Sequence, residues 1–288
     1  MQKRTKTAEN NGSAPFKKSP TKFFLLVFAL SIPFWLIGGM AEHISTGLPL
    51  NIPVSALGLP FCPLIAALIL VYRESKLGGI RRLLKRVFDH KRIKQKIWYV
   101  PIIFLMPAIM LLSYGVMRLM ELPLPQPYIP FLAIPTLFVV FFIGAVGEET
   151  GWMGYAVDPM QDRWSALKTS IILGLVGGAI WHIVPLIQAH RTPVWVTWQC
   201  FTILVTRILV VWLYNNTGKS VFAAILFHTM VNVSNSLFPN YGSHYDPAIV
   251  GLITAIIAVI VTFLWGSKTL ARYRYAENIN SVDSIYLN

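Results

Sequence analysis

The sequence predicts an all-α membrane protein, a polytopic bundle of about eight transmembrane helices, on three observations. Of its 288 residues 55% are hydrophobic and only 13% charged. The apolar residues fall in long blocks rather than at amphipathic spacing, and Lys and Arg collect in alternate connecting segments. A helix needs roughly 20 mostly apolar residues to cross the hydrocarbon core, because every backbone amide must be paired within the segment. Little length is left for a soluble domain.

Eight apolar blocks are expected at 23–40, 53–72, 97–120, 129–147, 169–189, 194–214, 220–238 and 248–266. Residues 1–22 are polar and basic and are expected to be a disordered tail. The first block has no small-x-small cleavage signal after it and reads as a retained helix. The seventh is the weakest span, since Asn232, Ser234, Asn235 and Ser236 make its second half polar, as suits a bundle interior or a wet cavity. By function the chain divides into the tail 1–22, N-terminal helices 23–120, a core 129–240, and a last helix with its tail 248–288. Within the N-terminal part, the loop 73–96 carries an apolar stripe through Ile80, Leu83, Leu84 and Val87 between basic residues, the pattern of a helix lying on a membrane surface.

The 25 Lys and Arg residues give the chain a net charge of +13, yet they flank apolar spans rather than decorate a soluble fold. Nucleic acid is therefore not the expected partner; the lipid bilayer is. Counted along alternate sides of eight spans, 22 basic residues fall on one side and Arg118 and Arg191 on the other, with Arg207 inside the sixth block. Both termini are expected on the basic, cytoplasmic side. Cys62 and Cys200 sit alone in apolar blocks and read as packing residues.

The fourth block ends in Gly147-Glu148-Glu149-Thr150-Gly151-Trp152. Two carboxylates at membrane depth cost roughly 2.5–3.5 kcal/mol each even on lenient insertion scales, so they need partners or a task; the bland reading ends the helix just before them. The fifth block holds Trp181-His182-Ile183-Val184-Pro185 and the seventh His228-Thr229-Met230-Val231-Asn232. A lone intramembrane His is ordinarily a hydrogen-bonded packing residue, but His228 and Asn232 are four apart and share one helix face. At ~1.5 Å per residue His182 lies roughly 20 Å, and His228 roughly 12 Å, from the cytoplasmic end of its block, while Glu148 sits at that end of its own. A shared site requires tilt or re-entrant ends. One carboxylate, two imidazoles and an amide, partly desolvated, suit hydrolysis with Glu148 as general base and with His or Asn steadying an oxyanion. The same Glu148, His182 and His228 could instead hold Zn²⁺ with a water in the open position. The residues leave both mechanisms open.

Together the Glu148-Glu149-Thr150-Gly151-Trp152 run, Trp181-His182 with Pro185, and His228 with Asn232 resemble the CAAX protease and bacteriocin-processing (CPBP, or Abi) family. The resemblance covers roughly residues 130–240 and includes the run RILVVWLYNNTGKSVFAAILFHTMVN. It implies a cytoplasm-facing intramembrane endopeptidase that removes the last three residues of prenylated CAAX proteins or trims other peptides near the membrane; bacterial relatives are associated with bacteriocin immunity or peptide maturation. It implies further that Glu148 activates water with His182, that His228 and Asn232 stabilise the oxyanion, and that Glu149 is structural. Two positions depart from the family pattern. Met153 stands where the motif usually has Arg, and Gly178 where an aromatic usually precedes the first His by four. Arg207 is the candidate substitute for the missing Arg, because a buried guanidinium needs a carboxylate; the plainer reading has it snorkelling to the interface.

The expected partner is a membrane-associated protein or peptide substrate. A non-catalytic scaffold or immunity factor is the alternative, and a small proton-coupled transporter a third, without a visible inverted repeat to support it. The charge asymmetry is testable first. A single Cys introduced near residue 85 is expected to resist a membrane-impermeant maleimide in intact cells while one near residue 45 reacts; the reverse pattern overturns the orientation.

Overall fold

The structure is a computed structural model that describes residues 18–41, 54–124 and 126–271. Positions 1–17 of the expected tail, and 272–288 of the last segment, lie outside the described residues. The described chain is helical throughout, with helices α1 (Pro20–Met40), α2 (Ser55–Gly58), α3 (Phe61–Lys85), α4 (Tyr99–Leu119), α5 (Ile134–Gly151), α6 (Val157–Gln161), α7 (Ala166–Leu173), α8 (Trp181–Gln188), α9 (Pro193–Asn216), α10 (Val221–Leu237) and α11 (Pro247–Trp265). Two wide π-helical segments, Trp152–Ala156 and Gly174–Ile180, join α5 to α6 and α7 to α8. Seven of the resulting rods are long and apolar enough to cross a membrane, and α10 is a shorter apolar eighth. The protein is a multi-pass membrane protein.

The ends of these helices follow local chemistry. Ser19 accepts the Lys22 amide and Pro20 opens α1, a cap followed by Pro in the first turn, so the helix begins three residues ahead of the expected block. Thr192 and Pro193 do the same for α9, and Asp246 and Pro247 for α11. The second block also differs from expectation. It divides into α2 and a longer α3 that runs on through residues 73–85 instead of ending at 72, with a break at Lys76, whose φ is 51°. The basic segment is thus partly an extension of a spanning helix. Of its apolar stripe, Leu83 and Val87 are buried, whereas Leu84 is 43% exposed.

The largest difference is in the fourth block. Its helix does not stop at 147, where the charges begin, but continues through Glu148 and Glu149 and then, by the wide turn at Trp152–Ala156, to Gln161. The two carboxylates therefore lie inside a rod spanning Phe131–Gln161 rather than at its end. Glu148 is roughly 20 Å from Gln161 at ~1.5 Å per residue.

Without a hydrophobic force between helices in lipid, close packing depends on small residues that let backbones approach. Gly151 meets the start of α3: a Cβ there would come within 2.6 Å of the Pro63 carbonyl carbon. Gly174 brings its helix against α9, where a Cβ would lie 3.1 Å from that of Arg207. Between them, Trp152 and Trp181 stack edge to face at 5.8 Å, and Trp181 Nε1 donates to Ser31 Oγ of α1 at 2.8 Å.

One end of the bundle is tied together by polar contacts among its connecting segments. Arg86 donates to the carbonyls of Gly154 and Lys219 and to the Tyr214 hydroxyl, which in turn donates to Asp158. Lys219 pairs with the same Asp158 at 3.0 Å. Asp89 accepts from Ser220 Oγ at 2.7 Å and from the Phe222 amide at 3.1 Å, adding a carboxylate to the positive end of α10. These contacts set the depth at which α10 enters. Because Gly151 faces backbone that cannot yield, Gly151→Ala is expected to cost about 1–3 kcal/mol and to lower the unfolding temperature in detergent. Gly115→Ala, inside α4 with nothing within 4 Å, should not lower it.

Candidate active site

Glu149 has no solvent exposure and is fully engaged. Arg207 Nη1 lies 2.8 Å from both of its carboxylate oxygens, and His228 Nδ1 is 2.7 Å from Oε1. A carboxylate can only accept here, so His228 carries a proton on Nδ1 and turns Nε2 away from Glu149. His182 is oriented in a similar way, with Nδ1 donating to the Gly178 carbonyl at 2.6 Å and Nε2 left for chemistry.

Glu148, one residue earlier, is rotated about 100° around α5 and has a different environment. Its side chain is 7% exposed, and its buried Oε2 has no hydrogen-bond partner among the described residues. It lines a cavity of about 150 Å³ together with His182, His228 and Asn232. That volume admits several water molecules. Four of the residues singled out in the sequence thus meet at one space, and Arg207 lies at its wall.

Their depths agree because the fourth rod is longer than its apolar block. Lys219, just before α10, is held level with Asp158 by their ion pair. Glu148 lies roughly 15 Å above Asp158 and His228 roughly 13 Å above Lys219 at ~1.5 Å per residue, so tilt is not needed. His182 reaches the same level beyond the wide turn Gly174–Ile180, which shifts the helical register and re-aims the residues that follow.

Comparison with known proteins supports the same reading. Residues 130–234 match the pattern of the type II CAAX prenyl endopeptidase Rce1-like family. The chain is also similar to CAAX prenyl protease 2 of Methanococcus maripaludis, 29% identical over 242 residues that cover 77% of this chain and 86% of that protein. Both likenesses support a CAAX-protease-like membrane endopeptidase of the CAAX protease and bacteriocin-processing type. The paired Glu, the His182 run and the His228/Asn232 pair that carry the resemblance to the CPBP family lie on α5, α8 and α10.

The position at which the CPBP motif usually holds Arg is Met153, fully buried among apolar side chains. The guanidinium beside the paired carboxylates comes instead from α9, as Arg207, 6% exposed and bound to Glu149 rather than snorkelling to an interface. Among the described residues no group of three His, Cys, Asp or Glu side chains is disposed as a metal site, while Glu148, His182 and His228 line the same cavity.

The structure adds cavity-lining residues that the sequence reading passed over. Gln199, Thr202 and Thr206 stand at helical spacing on the face of α9 that carries Ile203 and Val210, and Met106 enters from α4. Their signal was a polar stripe in an otherwise apolar span. Asn235, whose polarity the sequence already marked, also lines the cavity, one turn beyond Asn232 on the same face of α10.

Removing Arg207 would leave a buried carboxylate without its cation, a change that costs about 3–5 kcal/mol. Arg207→Met is expected to lower folded yield and the unfolding temperature, and Arg207→Met with Glu149→Leu to recover most of the loss. Equal damage from the double and single substitutions would place the role of Arg207 elsewhere.

Proposed function

We propose that this protein is an intramembrane endopeptidase that hydrolyses a peptide bond of a membrane-associated protein or peptide, at the end of the bundle where the basic segments lie. That end is assigned to the cytoplasm on the charge asymmetry. CAAX-type prenylated chains are the substrate class suggested by the name of the Methanococcus relative.

The observation that carries this reading is the contrast within one dipeptide. Glu149 has every oxygen paired, whereas Glu148 offers a buried, unpartnered oxygen to a polar cavity. The first is equipped for architecture and the second for proton transfer. In the proposed reaction Glu148, assisted by His182 Nε2, takes a proton from a cavity water. The resulting hydroxide oxygen bonds to the substrate carbonyl carbon, and Asn232, together with His228 as an imidazolium paired through Nδ1 with Glu149, donates to the developing oxyanion. Collapse of that intermediate breaks the C–N bond, and the proton held by Glu148 passes to the leaving amine. Each atom is accounted for by water and peptide alone. Immunity and scaffold roles need none of these steps.

Glu148→Gln keeps the size and most hydrogen-bonding capacity of the side chain but removes its basicity. Cleavage of a membrane-anchored peptide by the purified protein is expected to fall by at least ~10²-fold, with folding preserved. Asn232→Ala should cost somewhat less, about 10- to 1000-fold, since His228 remains. A cellular effect that persists at full strength in Glu148→Gln at normal protein levels would instead favour the scaffold.

A further inference from the structure

A groove of about 620 Å³ lies well away from the Glu148 cavity, at the polar end of the bundle. It is formed where the turn between α6 and α7 meets the end of α9 and the segment that follows α11. Three cations line it, Arg163, Lys219 and Lys268, against one acid, Asp162. Lys219 shares its charge with Asp158 but is half exposed. Arg163 and Lys268 have no acidic partner among the described residues and are exposed. The groove is held open by backbone contacts rather than by the cations. Ala166 and Leu167 donate to the carbonyls of Lys268 and Ser267, and Asn215 binds both Gln161 and the Thr269 carbonyl.

Its level in the membrane follows from the aromatic residues around it. Trp164 lines the groove at 37% exposure with Lys168 Nζ 5.5 Å from the centre of its ring. Trp265, in the last turn of α11, belongs with Trp98 and Trp212 to an aromatic cluster at the same end. Trp with flanking Lys and Arg is the composition of the membrane–water interface, the level of lipid headgroups. Cations that lack acidic partners, in a preformed polar groove between helix ends at that level, suit a phosphate-bearing headgroup.

We infer that the groove between the α6–α7 turn, the end of α9 and residues 268–271 binds the headgroup of an anionic phospholipid, with Arg163, Lys219 and Lys268 facing the phosphate. The site lies outside the hydrolytic cavity and stands or falls independently of the proposed protease activity.

The test uses the full-length protein in mixed micelles of phosphatidylglycerol and phosphatidylcholine, with retained lipid counted by native mass spectrometry. The wild type is expected to retain phosphatidylglycerol selectively. The exposed pair Arg163→Gln/Lys268→Gln should reduce that selectivity by at least ~5-fold, in keeping with the weight of near-surface cations. The control pair Arg81→Gln/Arg82→Gln removes equal charge from an exposed stretch of α3 and should leave it within ~2-fold. An equal fall in both pairs would mean diffuse attraction and would overturn the site, as would no fall in the groove pair. Glycerol phosphate at millimolar concentration separates the two sources of phosphate: failure to displace the lipid supports a lipid site, and full displacement identifies a soluble-phosphate site and overturns the lipid assignment.

Discussion

Glu149 is an ionisable group with no access to solvent in the interior of a membrane bundle, and much of the surrounding architecture follows from keeping it paired. A carboxylate so placed needs a cation and further donors at hydrogen-bonding distance. Arg207 supplies the cation from α9 and His228 the donor from α10. Three helices distant in sequence are thereby held in one register. The fit depends on close approach elsewhere: Gly174 allows its helix to reach α9 beside Arg207, and Gly151 seats α5 against the start of α3. A buried ion pair of this kind contributes little net stability compared with a well-packed apolar core, yet breaking it is costly, so its main effect is on which arrangement is allowed.

The same constraint prepares the chemistry next to it. Because neighbouring residues of a helix point about 100° apart, tying Glu149 into the α9–α10 contact turns Glu148 towards the cavity. Glu149 also fixes the orientation of the His228 ring, as the Gly178 carbonyl fixes that of His182. Both imidazoles then keep one nitrogen for the cavity. The replacement of the family's motif Arg by Met153 is compatible with this arrangement because a guanidinium from another helix satisfies the carboxylate, leaving a fully apolar environment for Met153. The requirement is for a positive charge at a point in space, and the chain position that delivers it is free to vary.

The polar end of the bundle has a complementary task. Arg86, Asp89, Asp158 and Lys219 link the segment after α3, the extension of α5 and the entry to α10, and so set the relative heights of helices that carry site residues. Contacts at the end of the molecule determine whether side chains more than two helical turns deeper can meet.

The sequence by itself determined the membrane class and the eight-helix count, because long apolar blocks and segregated basic residues follow directly from the cost of exposing backbone and charge to lipid. It also singled out Glu148, Glu149, His182, His228 and Asn232, which are conspicuous because polar groups are rare at such depth. The Ser19-Pro20 cap and the polar stripe Gln199, Thr202, Thr206 were equally legible, though the first was hidden by reading the basic tail as a whole and the second by the apolar residues around it. Tertiary structure alone decided the rest. That the fourth helix continues past its carboxylates cannot be read locally, since charges ordinarily mark the end of a span and only partners on α9 and α10 permit Glu149 inside. The wide turns at Trp152–Ala156 and at Gly174–Ile180, the second of which re-aims His182, leave no periodic trace. That Glu149 rather than Glu148 is the paired carboxylate follows from no local feature of two identical adjacent letters; a family resemblance implied it, and the bundle decides it by which of them Arg207 and His228 reach.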